Sequence, residues 1–198
     1  MQCSDKNRII EYLNKNLTEK RQIHTFAVVR EAKALAERYG EDIEKAEIAA
    51  LCHDLFRDVS KKAVNGYVRQ LSLDQAYLNN CNLAHSKIAA IVMVRDFGIH
   101  DSDIINAVSY HTTGRAHMSL LEKILYLADA IEPNRSYPGV DEIRKIAYEN
   151  LDRACLMSLN CAIQYIKHLG IYLDNDTVMA RDNLNKEIGS KNLQIIDL

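Results

Sequence analysis

The sequence predicts an all-α fold, and three observations carry that reading. Only two prolines, Pro133 and Pro138, interrupt the chain. No stretch alternates apolar and polar residues between turn signals as a half-buried strand does. Apolar residues instead recur at helical spacing behind Ser, Thr, Asp or Asn residues suited to capping. Ser4 can cap a first helix carrying Ile9, Ile10 and Leu13. Thr18 opens a second, in which His24, Val28, Ala32, Leu35 and Ala36 form an inward stripe until Gly40 stops it. Asp42 can cap a third, whose Ala46, Ala49 and Ala50 permit close helix approach, with His53-Asp54 near its end. A looser segment around Gly66 precedes a short helix from Asp74 to Leu78. Asn82 can cap a helix carrying His85, Ile88, Ala89 and Val92, ended by Gly98. Ser102 starts the next, with Ile104, Ile105 and Val108 leading to His111. After the loop from Thr112 to Met118, Ser119 caps a helix whose Leu121, Ile124, Leu125 and Ala128 adjoin Asp129. Asp141 begins one long run through Ile143, Ile146, Ala147, Leu151 and Ala154 to Leu169, broken by Gly170. A final helix from Thr177 to Ile188 reads as a lid or packing arm, and the tail from Ile195 to Leu198 carries no functional signal.

Composition narrows the function classes. With 198 residues, 47% of them hydrophobic, residues 1–198 suit one domain with a sizeable core. A net charge of -2 leaves no bulk cationic field, so nonspecific nucleic-acid binding is not expected and anion recognition must be local. The N-terminus leads into an amphipathic stretch rather than an apolar signal core, and no apolar run approaches the roughly 18 residues of a membrane span. A cytoplasmic protein without membrane association is therefore expected. The five cysteines are odd in number and lack CxxC spacing, so they read as reduced thiols, with Cys52 a packing residue despite its place beside His53.

The chemistry concentrates in an ordered set: His24, then His53-Asp54, His85, His111 and Asp129, spread over five helical segments. No single helix can bring these side chains together, so they act jointly only if the fold makes them converge. Imidazole and carboxylate together suit iron, manganese or zinc, whereas thiolate would favour a closed structural zinc site. Asp54 could bridge two ions roughly 3.5 to 4 Å apart. The dipeptide alone is weak evidence and reads more readily as a helix-end pair making ordinary hydrogen bonds. Asp129, within the apolar stretch from Ile124 to Ile131, needs a partner if buried, either a metal or an Arg.

Longer strings sharpen this pattern. Arg21-Gln-Ile-His24, Ala34-Leu-Ala-Glu-Arg-Tyr-Gly40, Leu51-Cys-His-Asp54, Ala84-His-Ser86, Phe97-Gly-Ile99, Tyr110-His-Thr-Thr-Gly-Arg115 and Tyr126-Leu-Ala-Asp-Ala-Ile-Glu-Pro-Asn-Arg135 resemble the HD-domain metallophosphohydrolases. They resemble more closely still the bacterial YqeK-type symmetrical diadenosine tetraphosphate hydrolases. The resemblance implies an all-α HD-domain helical bundle, with a metal-binding core over residues 18–135 and a C-terminal helical extension over residues 141–198. It implies hydrolysis of diadenosine tetraphosphate at its centre to two ADP. His24, His53, Asp54 and Asp129 would be metal ligands for one or two divalent transition ions, iron first, with manganese and zinc as alternatives. Asp54, His85 and His111 would be catalytic, the two histidines facing the phosphates or binding a second ion. Arg21, Arg57, Thr112, Thr113, Gly114 and Arg135 would join them in binding substrate. Arg57 stands where the family commonly has Lys, and Arg is not interchangeable with Lys at a phosphate. Lys87 and Arg115 are balanced between surface and substrate roles, and His100, His117 and His168 read as surface or packing residues. A nucleotide is the expected partner, with a homodimer left open. Two other readings remain: an HD phosphohydrolase of another nucleotide, and a non-catalytic metal or nucleotide sensor.

Overall fold

Ten α-helices and one 3₁₀ turn make up the chain in a computed structural model that describes residues 3–196, with side chains from residue 6 to residue 190. In order they are α1 (Cys3–Asn16), α2 (Glu19–Tyr39), α3 (Ile43–Cys52), α4 (Lys61–Gln70), the 3₁₀ turn Gln75–Tyr77, α5 (Cys81–Phe97), α6 (Ser102–Tyr110), α7 (Leu120–Ile131), α8 (Val140–Ala147), α9 (Leu151–Leu169) and α10 (Asn175–Ile196). Among the described residues there is no strand. Helices α2, α3, α5, α6 and α7 pack on one another as the central bundle, α9 packs on α7, and α8 and α10 pack on α9.

Capping chemistry sets most of the boundaries. The Thr18 hydroxyl accepts from the Arg21 amide to start α2, and Gly40, at φ +74°, ends it in the left-handed conformation that glycine adopts without a Cβ clash. Asp42 accepts from the amides of Glu44 and Lys45 at the start of α3. Ser119 and Glu122 form a reciprocal capping box at the start of α7. Behind these caps the expected apolar stripes are buried: Ile9 and Leu13 of α1, Val28, Ala32 and Leu35 of α2, Ile88 and Ala89 of α5, and Leu121, Ile124 and Leu125 of α7.

Several local expectations differ from the structure. Gly66 lies inside α4 rather than in a loose segment: Ser60 caps that helix and Val64 and Val68 are buried, so packing outweighs a glycine cost of roughly 1 kcal/mol. Helix α5 begins after Asn80, and Asn82 lies within its first turn, where its side-chain oxygen accepts from Arg57 instead of capping. Asp101 caps α6, with Ser102 its first residue. The run expected from Asp141 to Leu169 is two helices, because Asn150 turns out of the helical region and accepts from the Arg153 amide, so that α9 starts afresh. The last helix starts at Asn175, after Asp174 accepts from the Asp176 amide, and runs past Ile188. Ser4 falls within α1 rather than before it, and its side chain, like those of Cys3 and the tail from Ile195, lies outside the described residues.

Ser119 ties two helices together, since its hydroxyl accepts from Glu122 N and donates to Asp103 Oδ1 at 2.6 Å. Ser119→Ala is expected to destabilise the chain by about 1 to 2 kcal/mol, measured by urea unfolding. An unchanged midpoint would show that the capping box contributes nothing.

Candidate metal centre

Each residue of the ordered set reaches the interior from a different element. His24 projects from α2 and His85 from α5; His53 and His111 are the residues that end α3 and α6; Asp129 lies in the last turn of α7. Asp54 follows His53 in the turn after α3, where Arg57 N donates to its carbonyl. Leaving the helix at this point frees the pair from the 100° offset that consecutive helical residues impose. The four histidines and Asp54 are all buried.

Asp54 is at the centre. Its Oδ2 lies 3.4 Å from His53 Nε2 and 3.6 Å from His24 Nε2, and its Oδ1 lies 3.1 Å from His85 Nε2 and 4.0 Å from His111 Nε2. Asp129 Oδ1 lies 3.0 Å from His24 Nε2. Ligand atoms of His24, His53 and Asp129 all fall within 4.8 Å of one another, as do those of His53, Asp54 and His111.

The opposite ring nitrogens are committed elsewhere. Nδ1 of His53, His85 and His111 donates to the carbonyls of Ala50, Cys81 and Val108 at 2.6, 3.1 and 2.8 Å, and Nδ1 of His24 donates to Glu132 Oε1 at 3.1 Å. In the neutral rings, the proton held at Nδ1 leaves each Nε2 a lone pair toward the shared interior, the form a cation would meet. Nε2 of His85 and Nε2 of His111 lie 3.1 Å apart. Nε2 of both His24 and His53 is buried without a hydrogen-bond partner, despite the carboxylate oxygens nearby. Convergent acceptors without donors are costly unless a cation lies between them, so these residues fit a metal centre.

Both carboxylates stay ionised. Burial would raise the Asp54 carboxyl, but His53 and His85 beside it hold it well below the usual carboxylate range. Burial would likewise raise Asp129, and its contacts with His24 and Arg135 lower it instead. Burial, reinforced by His53 and His85, depresses His111 to about 3, so it is neutral at ordinary pH. Burial also lowers His53, but Asp54 outweighs it and the net shift is upward, so an incoming cation competes there with a proton. The Cys52 thiol, pushed up to about 12 by burial, is protonated and is not part of the set.

The expected substrate residues divide by position. Arg21 Nη1 donates to Asp54 Oδ2 at 2.7 Å, and Arg135 Nε donates to the Asp129 carbonyl at 2.8 Å while its Nη2 pairs with Asp129 Oδ1. Of the two partners foreseen as alternatives for Asp129, an Arg is present, and it shares Oδ1 with His24. Arg57 lies at the rim, bound to Asn82. Thr112 is half-buried against Ser86, whereas Thr113 is buried with its hydroxyl on the Gly114 carbonyl. Gly114, at φ +65°, abuts α10: a Cβ there would come within 3.0 Å of Ala180 Cβ. Arg115 is held by both oxygens of Glu122, and Lys87 lies 3.5 Å above the Tyr110 ring with its pKa pulled down to about 8 by burial. His100, His117 and His168 are exposed. Sequence reasoning missed Glu132 and Arg144. Glu132 stood inside the long string ending at Arg135, but its partner is 108 positions away. Arg144 gives no local signal: its guanidinium donates to the carbonyls of Ile131, Glu132 and Arg135 at 2.8, 2.9 and 2.7 Å.

Comparison with known proteins places this geometry in context. Residues 21–134 match the HD domain. The chain is 39% identical to the Bacillus subtilis (strain 168) protein named "Bis(5'-nucleosyl)-tetraphosphatase, symmetrical", over 82% of this chain and 88% of that one. The proteins of the same name from Halalkalibacterium halodurans and Staphylococcus aureus (strain NCTC 8325 / PS 47) are 38% and 34% identical, over 86% and 82% of this chain and 92% and 85% of theirs. The crystal structure of a predicted HD superfamily hydrolase involved in NAD metabolism from Clostridium acetobutylicum superposes with a TM-score of 0.87 at 40% identity, covering 92% of this chain and 97% of that one.

Asp54→Ala removes the one carboxylate that faces all four imidazoles. Wild-type protein reconstituted with iron, manganese or zinc is expected to hold at least about one ion per chain, and the variant much less, by elemental analysis. Wild-type metal content in a folded Asp54→Ala protein would remove Asp54 as a ligand.

Proposed function

Since the chain belongs to the HD-domain family, we propose that it is a metal-dependent phosphohydrolase that cleaves diadenosine tetraphosphate symmetrically into two ADP. The observation that carries this reading is the meeting of four imidazole Nε2 atoms around Asp54, with Asp129 beside them, in a chain that aligns with symmetrical tetraphosphatases over most of its length.

His24, His53, Asp54 and Asp129 would hold the metal. A divalent cation, when bound there, supplies Lewis acidity toward phosphoryl oxygen and lowers the pKa of water. Asp54 directs one oxygen toward His24 and His53 and the other toward His85 and His111, so the residues present would accommodate one or two ions. Of the compatible metals we propose iron, which mixed imidazole and carboxylate donors without thiolate would suit. His85 and His111 would face the substrate from the other oxygen of Asp54, His111 with a neutral ring. Arg21 and Arg135 have guanidinium donors beyond those used on Asp54 and Asp129, and these would take the phosphates next to the reacting phosphorus. Arg57 and Thr112 would meet the polyphosphate at the rim, and Thr113 and Gly114 shape the loop behind it. We propose that the chain acts in the cytoplasm; among the described residues no helix is long and apolar enough to cross a membrane. We propose a homodimer as its assembly, for which exposed Tyr165, Leu169, Ile171 and Tyr172 offer apolar surface.

The products discriminate between readings. Diadenosine tetraphosphate is expected to yield ADP alone, and early-time analysis in heavy-oxygen water should show one labelled and one unlabelled ADP per turnover. AMP and ATP in equal amounts would overturn the symmetrical assignment, and no cleavage with any metal would overturn the hydrolase.

Arg135→Ala is expected to raise KM roughly ten- to a hundredfold, the equivalent of losing a charge-assisted contact worth about 1.5 to 3 kcal/mol, with metal content intact. An unchanged KM would place Arg135 outside substrate binding.

A further inference from the structure

Three of the four histidines are oriented by their own neighbourhoods. Nδ1 of His53 and His111 donates to the carbonyl three residues back, and that of His85 to the carbonyl four residues back. These partners come with the helices. His24 is different: it sits within α2, yet its Nδ1 meets no carbonyl of its own helix but a carboxylate 108 residues away.

That carboxylate, Glu132, is 2% exposed and its acceptors are in use. Oε1 faces His24 Nδ1 at 3.1 Å, while Oε2 accepts from Asn134 N at 2.7 Å and Asn134 Nδ2 at 2.9 Å. The backbone explains its aim. Pro133 disfavours helical geometry at the preceding residue, and Glu132 is accordingly extended, with ψ 152°, so the chain leaves α7 there. Arg144 then grips the turn from outside through three carbonyls.

We propose that Glu132 is a positioning residue of the metal centre: it holds the Nδ1 proton of His24, selecting the tautomer and ring orientation in which Nε2 is a lone-pair donor toward a cation. A carboxylate partner also makes imidazole a stronger donor than a carbonyl does, so His24 is the most electron-rich of the four imidazoles. The catalytic consequence rests on the phosphohydrolase reading; the hold on His24 does not. Glu132→Gln nearly conserves shape, yet an amide has one acceptor and one donor end, so in either orientation it sets donor against donor, at His24 or at Asn134.

The test uses the full chain stripped of metal and titrated with zinc alone in competition with a chromophoric chelator, together with nitrogen-15 spectra of the histidine rings in the metal-free protein. Glu132→Gln is expected to weaken zinc binding roughly ten- to a hundredfold, to bring in the Nε2–H tautomer at His24, and to cause no further loss in a His24→Ala background. Should Glu132→Gln fail to fold, Glu132→Asp, which keeps the charge but draws the carboxylate one methylene back from His24, is expected to give the same shifts. Unchanged zinc affinity with an unchanged tautomer, or an equal loss in the His24→Ala background, would overturn the proposal. If the wild type bound neither zinc nor, in the same titration, iron or manganese, the metal-centre reading would fall, while the tautomer of His24 would still decide whether Glu132 holds it.

Discussion

A buried carboxylate surrounded by nitrogen lone pairs governs the rest of this molecule. Isolating Asp54 from water would cost several kcal/mol if it were unpaired. The chain answers with Arg21 on one oxygen and four imidazoles within 4.0 Å of the two together. That arrangement requires α2, α3, α5 and α6 to deliver side chains to one point, with α7 bringing Asp129 alongside. It explains why these five helices form the central bundle, and why α3 carries the small residues Ala46, Ala49 and Ala50, all buried, where its neighbours approach closely. The apolar core supplies most of the driving force for burial, but the register of the helices answers to the polar cluster, because a misplaced turn would bury a histidine without its partner.

The segment from Asp129 to Arg135 concentrates several of these demands. It presents a carboxylate to His24, ends a helix, turns at Pro133, returns Glu132 to the far side of the same imidazole, and places Arg135 over Asp129. A turn with so many tasks is held from both sides, by Glu132 within and by Arg144 of α8 without. The helices after residue 140 therefore do more than cover the bundle. Helix α8 clamps the turn, and α10 closes on Gly114 through Ala180.

Much of this was legible in sequence. Helical spacing, the caps at Thr18, Asp42 and Ser119, and the stops at Gly40, Gly98 and Gly170 record interactions between residues a few positions apart, and those are local physics. The elements that differed are those where a local signal had a competitor. Asn82 looked like a cap but serves Arg57, Gly66 looked like a break but is carried by the burial of Val64 and Val68, and an apolar stripe running from Ile143 to Ala154 concealed the restart at Asn150.

The sequence by itself determined the all-helical class, the residue types available for chemistry, and the family to which their order belongs. What only the tertiary structure decided is direction and partnership: that all four Nε2 atoms point inward because their Nδ1 protons are held elsewhere, that Asp129 serves His24 and Arg135 together, that Glu132 and Arg144 stand behind the centre, and that Thr113 and Gly114 are packed rather than open. The physical reason is range. Spacing along a helix fixes the face on which a side chain lies, but a hydrogen bond between residues 108 positions apart exists only once the helices have packed, and nothing in the neighbourhood of either residue records it.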